Sequence, residues 1–110
     1  MRKEIRRFIP LMELLKNLDS KKRSAYLKTI TKDFLKFLST VIYNVNSGIF
    51  KIPDELIKEL KPYRKSIQKL SQKNISLADR KKIITSPKFF PNVISPLIPH
   101  LITLISEQDE

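Results

Sequence analysis

Cysteine is absent from this 110-residue chain, and glycine and histidine each occur once. The lack of cysteine excludes disulfides, cysteine-based zinc sites and a thiol nucleophile. A single glycine excludes a glycine-rich phosphate-binding loop. The only histidine, His100, excludes a multi-histidine metal site, and no acid follows it before Glu107. No acid–base constellation for catalysis is visible. These absences predict a non-enzymatic protein without a catalytic residue, a metal or a cofactor.

Basic side chains are missing from residues 89–110, whereas residues 1–88 hold all 22 Lys and Arg residues. The formal net charge of +11 and the pI near 10.0 favour nucleic acid or an anionic membrane surface as a partner. The alternative is a well-solvated basic surface without such a partner. The charge division predicts a basic helical domain at 1–84 and an apolar, proline-containing tail at 85–110. We expect the tail to end in a short helix and to pack on the same domain.

Long unbroken apolar runs are also missing, which argues against a standard transmembrane helix. Glu13 and Lys16 interrupt the apolar run near the N-terminus, and no small-residue cleavage site follows it. This pattern argues against a secretory signal. We therefore expect an intracellular protein, nuclear or virion-associated, and not a secreted one.

Apolar residues recur at helical spacing almost throughout the chain, and this periodicity predicts an all-α, compact bundle of about five to six short helices. Pro10 is expected to kink the first helix or to restart it. Thr31 is a predicted N-cap, and Gly48 a predicted left-handed helix end. Phe34, Leu35, Leu38, Val41, Ile42 and Val45 form the stripe expected at the centre of the core. The helices before the tail are predicted near 3–17, 21–30, 31–46, 53–60, 62–73 and 76–84.

The tail has three prolines between residues 90 and 100, which predict an extended part followed by one final helix. We expect Ser95 to cap that helix and Ser106 to lie near its end. Its apolar side chains either pack against the third helix, the favoured alternative, or form an interaction surface for a protein or an anionic membrane. The residues of that candidate surface are Phe89, Phe90, Val93, Ile94, Leu97, Ile98 and Leu101.

The densest basic segment lies at 61–88, with nine basic residues and one acid. Lys65, Lys69 and Lys73 are spaced by four, which predicts a row along one helix that can follow a phosphate backbone. A solubilising lysine face is the alternative. A second basic cluster at 21–23 also fits a nuclear localisation pattern. The candidate nucleic-acid-binding residues are Lys61, Arg64, Lys65, Lys69, Lys73, Arg80, Lys81, Lys82, Lys21, Lys22 and Arg23.

Aromatic side chains flank this segment, and Tyr63, Phe89 and Phe90 could stack on unpaired bases. Packing in the core or the tail is the favoured alternative for all three. No cluster of Asn, Gln and Arg marks a recognition helix, so base-specific readout is not expected.

The order of several short motifs resembles a family of small basic proteins from adintoviruses and Polinton-type elements, which have been likened to the adenovirus core protein X, or mu. The resemblance spans roughly residues 9–105. It includes Ile9-Pro10-Leu11, Ser20-Lys21-Lys22-Arg23, Leu27-Lys28-Thr29-Ile30, Ile52-Pro53, Arg64-Lys65, Lys69-Leu70 and Arg80-Lys81-Lys82, followed by the proline-containing tail.

The resemblance implies a virion-associated or DNA-packaging protein without a cofactor, with its basic residues at Arg64, Lys65, Lys69, Arg80, Lys81 and Lys82. The chain has Pro87-Lys88-Phe89-Phe90-Pro91 where a Gly-Gly-Phe-Leu-like junction is expected, so a protease that requires glycine could not cut there. The leading hypothesis is sequence-nonspecific binding to nucleic acid through phosphate contacts. The alternative is a helical protein-interaction or membrane-active module that uses the tail.

Overall fold

The computed structural model describes residues 1–108, together with the side chains of residues 1–106. This part of the chain is helical and contains no strand, so the all-α prediction is confirmed. The Cα radius of gyration is 13.2 Å, close to the value of about 13 Å expected for a folded chain of this length. The helices are α1 (Arg2–Asn17), α2 (Ser20–Leu27), α3 (Lys32–Asn46), α4 (Asp54–Leu60), α5 (Arg64–Leu70), α6 (Leu77–Ile84) and α7 (Ser95–Gln108).

Two further helical segments connect these elements. A 3₁₀ turn at Lys61–Tyr63 joins α4 to α5, and a π-helical turn at Phe90–Ile94 leads directly into α7. One hydrophobic cluster contains buried side chains from each of α1 to α7 and from the π turn. The basic segment and the apolar tail therefore share one core.

Helix α3 supplies the centre of the core, as its apolar stripe predicts. Phe34, Leu38 and Ile42 are at most 1% exposed, because residues three and four apart lie on one face of a helix. Thr31 accepts a hydrogen bond from the Phe34 backbone amide at 3.2 Å, which confirms the predicted N-cap. Gly48 has φ +80°, which confirms the predicted left-handed position after the helix end.

Side-chain N-caps also begin two of the shorter helices, α2 and α6. Asp19 accepts from the Lys22 amide at 2.8 Å, and Ser76 accepts from the Asp79 amide at 3.1 Å. Each of these side chains satisfies an amide that the first turn of a helix leaves without a backbone partner. Local chemistry therefore fixes where α2 and α6 begin.

The prediction for Pro10 is corrected in one respect, because α1 does not restart there. The helix runs uninterrupted from Arg2 to Asn17 and includes Pro10, whose side chain is exposed. Proline removes one backbone hydrogen bond from a helix. The opposite face of α1 buries Ile5, Met12 and Leu15, and this packing holds the helix together across the gap.

The tail is helical where an extended part was predicted. The Ser95 amide bonds to the carbonyl of Phe90, five residues earlier, which is the wide turn of a π-helix. This turn carries Pro91 and brings the chain into α7 without a break. Ser95 itself has helical angles, φ −55° and ψ −44°, so its predicted role as an N-cap is wrong.

The tail packs chiefly on α1, whereas the sequence analysis favoured the third helix. Helices α1 and α7 share the most extensive contact between elements of this fold. The prediction that the tail completes the core is confirmed, since its seven candidate surface residues are 0–3% exposed. The proposed interaction surface is therefore not presented in this fold. Its residues are core residues: Phe89, Phe90, Val93, Ile94, Leu97, Ile98 and Leu101.

Candidate nucleic-acid interface

The basic side chains of 61–88 lie mostly on the surface of the fold. Arg80 and Lys81 are half-buried, and the other seven are exposed. Within the part of the chain whose side chains are described, no carboxylate lies within ion-pairing distance of any of the nine. Asp79, the acid within this segment, lies in the first turn of α6, where a negative charge complements the helix dipole. The positive charge of this segment is therefore available to a partner.

The predicted row of three lysines is wrong in its last member. Helix α5 ends at Leu70, so Lys65 and Lys69 share the helix while Lys73 lies in the turn that follows. The amides of Ser71 and Gln72 bond to carbonyls three residues earlier, at 3.2 Å each. Such bonds tighten the last turn of a helix and end it.

The turn after α5 instead brings Lys73 close to Arg80. These two side chains line one open groove of about 200 Å³ between α3, the turn at 71–73 and α6. Both residues belong to the candidate site predicted from the sequence, but their spacing of seven residues across a helix end does not predict that they meet. The other residues that line this groove are Ser39, Thr40, Tyr43, Leu70, Ser71 and Gln72.

Arg80, one of the residues that line this groove, carries an unusual donor. Its Nε atom is buried and has no hydrogen-bond partner among the described residues. A buried donor without an acceptor costs about 1–3 kcal/mol, and more when the group is charged. Natural folds keep few such groups. The unpaired donor therefore marks the Arg80 side chain as a candidate contact for an acceptor from outside the chain.

Sequence reasoning missed Tyr43 as a member of this groove, because α3 was interpreted through its apolar stripe alone. Tyr43 is 41% exposed, and it lines the groove together with Ser39 and Thr40. Position 43 lies four residues after 39 and three after 40, so Tyr43 is a neighbour of both Ser39 and Thr40 on the helix surface. This polar side beside the stripe was the signal available in the sequence.

Lys61 and Arg64 line a different groove, of about 460 Å³, at the ends of α3 and α4. Its walls include Ile52, Ile57 and Ile67. Ile57 is 46% exposed, so this groove combines accessible apolar surface with two basic side chains. The structure thus distributes the basic segment over at least two distinct surfaces and not along a single helix face.

Only two of the three basic side chains at 21–23 are available to a partner. Lys21 and Lys22 are exposed on α2. Arg23 donates to the Leu18 carbonyl at 3.1 Å, and its guanidinium carbon lies 5.9 Å from the centre of the Phe90 ring. This cation–π geometry ties α2 to the tail. Arg23 therefore has an intramolecular role, and the exposed charge of this cluster comes from the two lysines.

The aromatic residues beside the basic segment are packed, as the favoured alternative predicts. Phe89 and Phe90 are at most 2% exposed and cannot stack on a base in this fold. Tyr63 is half-buried against the core, and its hydroxyl accepts a hydrogen bond from Asn92. The arrangement offers charge and hydrogen-bond donors to a partner, without an aromatic platform built from these three residues.

No family model, curated protein or solved structure matches this chain. Across the described residues, no helix is both long enough and apolar enough to cross a membrane. No three acidic or histidine side chains in that same part of the chain are grouped to hold a metal ion.

Proposed function

We propose that this protein binds nucleic acid through phosphate contacts, without sequence preference and without catalysis. The observation that carries the proposal is the set of basic side chains at 61–88, which are mostly exposed and are not neutralised by a described carboxylate. The formal net charge of +11 supports the same partner, because a strongly basic surface attracts polyanions.

Lys and Arg side chains on such a surface bind phosphates and release the counterions that surround the nucleic acid. Contacts of this kind position a protein on a duplex but carry little sequence information. Lys65 and Lys69 on α5 and Lys82 on α6 are exposed and supply charge from two adjacent helices. We therefore expect the affinity to depend strongly on salt and little on the base sequence.

A role in virion cores or DNA packaging is the biological setting that we propose, on the strength of the family resemblance. Condensing a genome requires binding at many sites of unrelated sequence, which phosphate contacts permit. Gene order tests this setting. Neighbouring genes for a capsid protein, a packaging ATPase or a protein-primed polymerase would support it, and a neighbourhood of unrelated cellular genes would contradict it.

Fluorescence anisotropy with labelled duplex DNA and RNA, measured across a salt series, tests the binding itself. If six basic residues contact duplex DNA together, the logarithm of affinity should fall against log salt with a slope of about −5. The affinity should be similar for unrelated sequences. A slope near zero, or no binding at low salt, would overturn the proposal.

A charge-reversal variant sharpens this experiment. Changing Lys65, Lys69 and Lys82 to Glu should weaken binding to all sequences alike. The matched control changes Lys3, Lys16 and Lys51 to Glu. These three lysines are also exposed, and the control alters the net charge by the same amount. Equal losses in the two variants would show that the whole charge of the protein, and not the segment 61–88, drives binding.

A further inference from the structure

The groove between α3 and α6 combines two cationic side chains with a buried donor that lacks an acceptor. We infer that this groove, lined by Arg80, Lys73 and Tyr43, is a binding site for a single phosphate group. The inference rests on the proposed function and adds one defined anchoring point to an otherwise diffuse basic surface. A phosphate of the nucleic-acid backbone and a terminal phosphate share the required chemistry.

The donors and acceptors in the groove favour an anion. Ser39, Thr40 and Ser71 each donate their hydroxyl proton to a carbonyl four residues earlier, at 3.0, 2.9 and 2.8 Å. Their protons are thus used by carbonyls of α3 and α5. The donors left for a ligand are the Arg80 guanidinium, the Lys73 ammonium group, the Tyr43 hydroxyl and the side-chain amide of Gln72.

Arg80 is the centre of the site because its guanidinium can present two parallel N–H groups to one anion. Nε and a neighbouring Nη form the fork that binds phosphate or carboxylate oxygens in a bidentate manner. In the proposed complex, a phosphate oxygen in the groove accepts from this Nε–H. Binding then satisfies the donor that the free fold leaves unpaired.

The size and the charge of the groove fit a phosphate. Its volume of about 200 Å³ is well above the roughly 10–15 Å³ that one water molecule needs on the same measure, so the groove has room for a tetrahedral anion. Two cations, Arg80 and Lys73, match a terminal or inorganic phosphate, whose charge approaches about −2 at pH 7, and they also attract the single negative charge of a backbone phosphate. No described carboxylate lies within ion-pairing distance of either of them.

Titration of the full chain with inorganic phosphate, followed by ¹H–¹⁵N NMR at constant ionic strength, tests the site. We expect saturable shifts of the Arg80 Nε–H resonance and of the backbone amides of Tyr43 and Ser71. Acetate at the same ionic strength should shift them less. Shifts that do not saturate, or that acetate reproduces, would overturn the inference.

Substitutions separate this site from general charge effects. Arg80→Met keeps the apolar stem and removes the donors, so it should weaken phosphate binding about tenfold, as expected on losing one charged hydrogen-bonding group. Arg80→Lys retains the charge without the fork and should lose part of the affinity. Lys58→Met removes an exposed ammonium group on α4, outside the groove, and should leave phosphate binding unchanged. Equal losses in Arg80→Met and Lys58→Met would contradict a defined site.

Duplex DNA distinguishes the two proposals and the two phosphate sources. If DNA binds without shifting the groove resonances, the groove is not a nucleic-acid contact and only the general proposal survives. If phosphate saturates the groove while DNA does not bind, the proposed function fails and the phosphate site stands. Tighter binding of a 5′-phosphorylated strand than of its 5′-hydroxyl form assigns the groove to a terminal phosphate, whereas equal affinity assigns it to the backbone.

Discussion

Asn92 donates a hydrogen bond to the Tyr63 hydroxyl oxygen across 2.6 Å, and the two residues are 29 positions apart in the chain. Tyr63 closes the 3₁₀ turn before α5, and Asn92 lies in the π turn that leads into α7. This bond connects the start of the basic segment directly to the apolar tail.

The contribution of this bond can be measured with Tyr63→Phe, which removes the hydroxyl and keeps the ring. We expect a loss of about 0.5–1.5 kcal/mol in the free energy of unfolding, the usual net value of one hydrogen bond. Urea denaturation measures the loss. Tyr26→Phe is the control, because Tyr26 is 40% exposed and lies on α2. An equal change in both variants would show that the bond to Asn92 contributes nothing.

Because the tail is packed, two isoleucines on α7 should differ greatly in how much stability is lost when each is changed to Ala. Ile98 is 0% exposed and Ile102 is 39% exposed. Ile98→Ala should destabilise the fold by about 2–5 kcal/mol, because it removes buried methylene groups and leaves a cavity. Ile102→Ala should cost far less, and thermal or urea unfolding measures both. Small and equal effects would mean that α7 is not packed, and would restore the tail as a candidate interaction surface.

A substitution at Gly48 measures the cost of the left-handed backbone conformation alone, because an added side-chain carbon would contact nothing there. Its φ of +80° is unfavourable for a residue with a side chain, and a Cβ added there would have no neighbour within 4 Å. Gly48→Ala should therefore cost roughly 1–2 kcal/mol, the penalty of the left-handed conformation. Gly48→Asn should cost less, because Asn tolerates this region better. An Ala variant as stable as the original protein would mean that the chain leaves α3 in another conformation.

Replacing a single lysine of the interface should change both the affinity for DNA and the dependence of that affinity on salt. Lys65→Ala should weaken binding of unrelated duplexes to a similar degree and make the salt slope shallower by about 1, as expected for the loss of one phosphate contact. Lys16→Ala is the control, since Lys16 is also exposed but lies in the last turn of α1. Anisotropy across a salt series measures both slopes. An unchanged slope for Lys65→Ala would remove this residue from the interface.

The sequence predicts which basic residues of the candidate site are exposed, but it does not predict how they are arranged relative to one another. Exposure of most basic residues follows from the cost of burying a charge, which the sequence reveals directly. The meeting of Lys73 and Arg80 depends on where α5 ends, and a predicted helix to residue 73 placed Lys73 on the wrong element. Arg23 was likewise assigned to the interface, although its contacts with Leu18 and Phe90 arise only in the folded chain.

The sequence by itself determined the local features of this protein. Side-chain caps at Asp19, Thr31 and Ser76, the left-handed Gly48 and the apolar stripe of α3 depend on residues within one or two helical turns of each other. The tertiary structure alone decided that α7 packs on α1 and that Arg80 lines a groove with Tyr43. The physical reason is that burial of apolar surface is not directional, so many partners satisfy an apolar helix face equally well. Only the simultaneous packing of all the helices selects one arrangement.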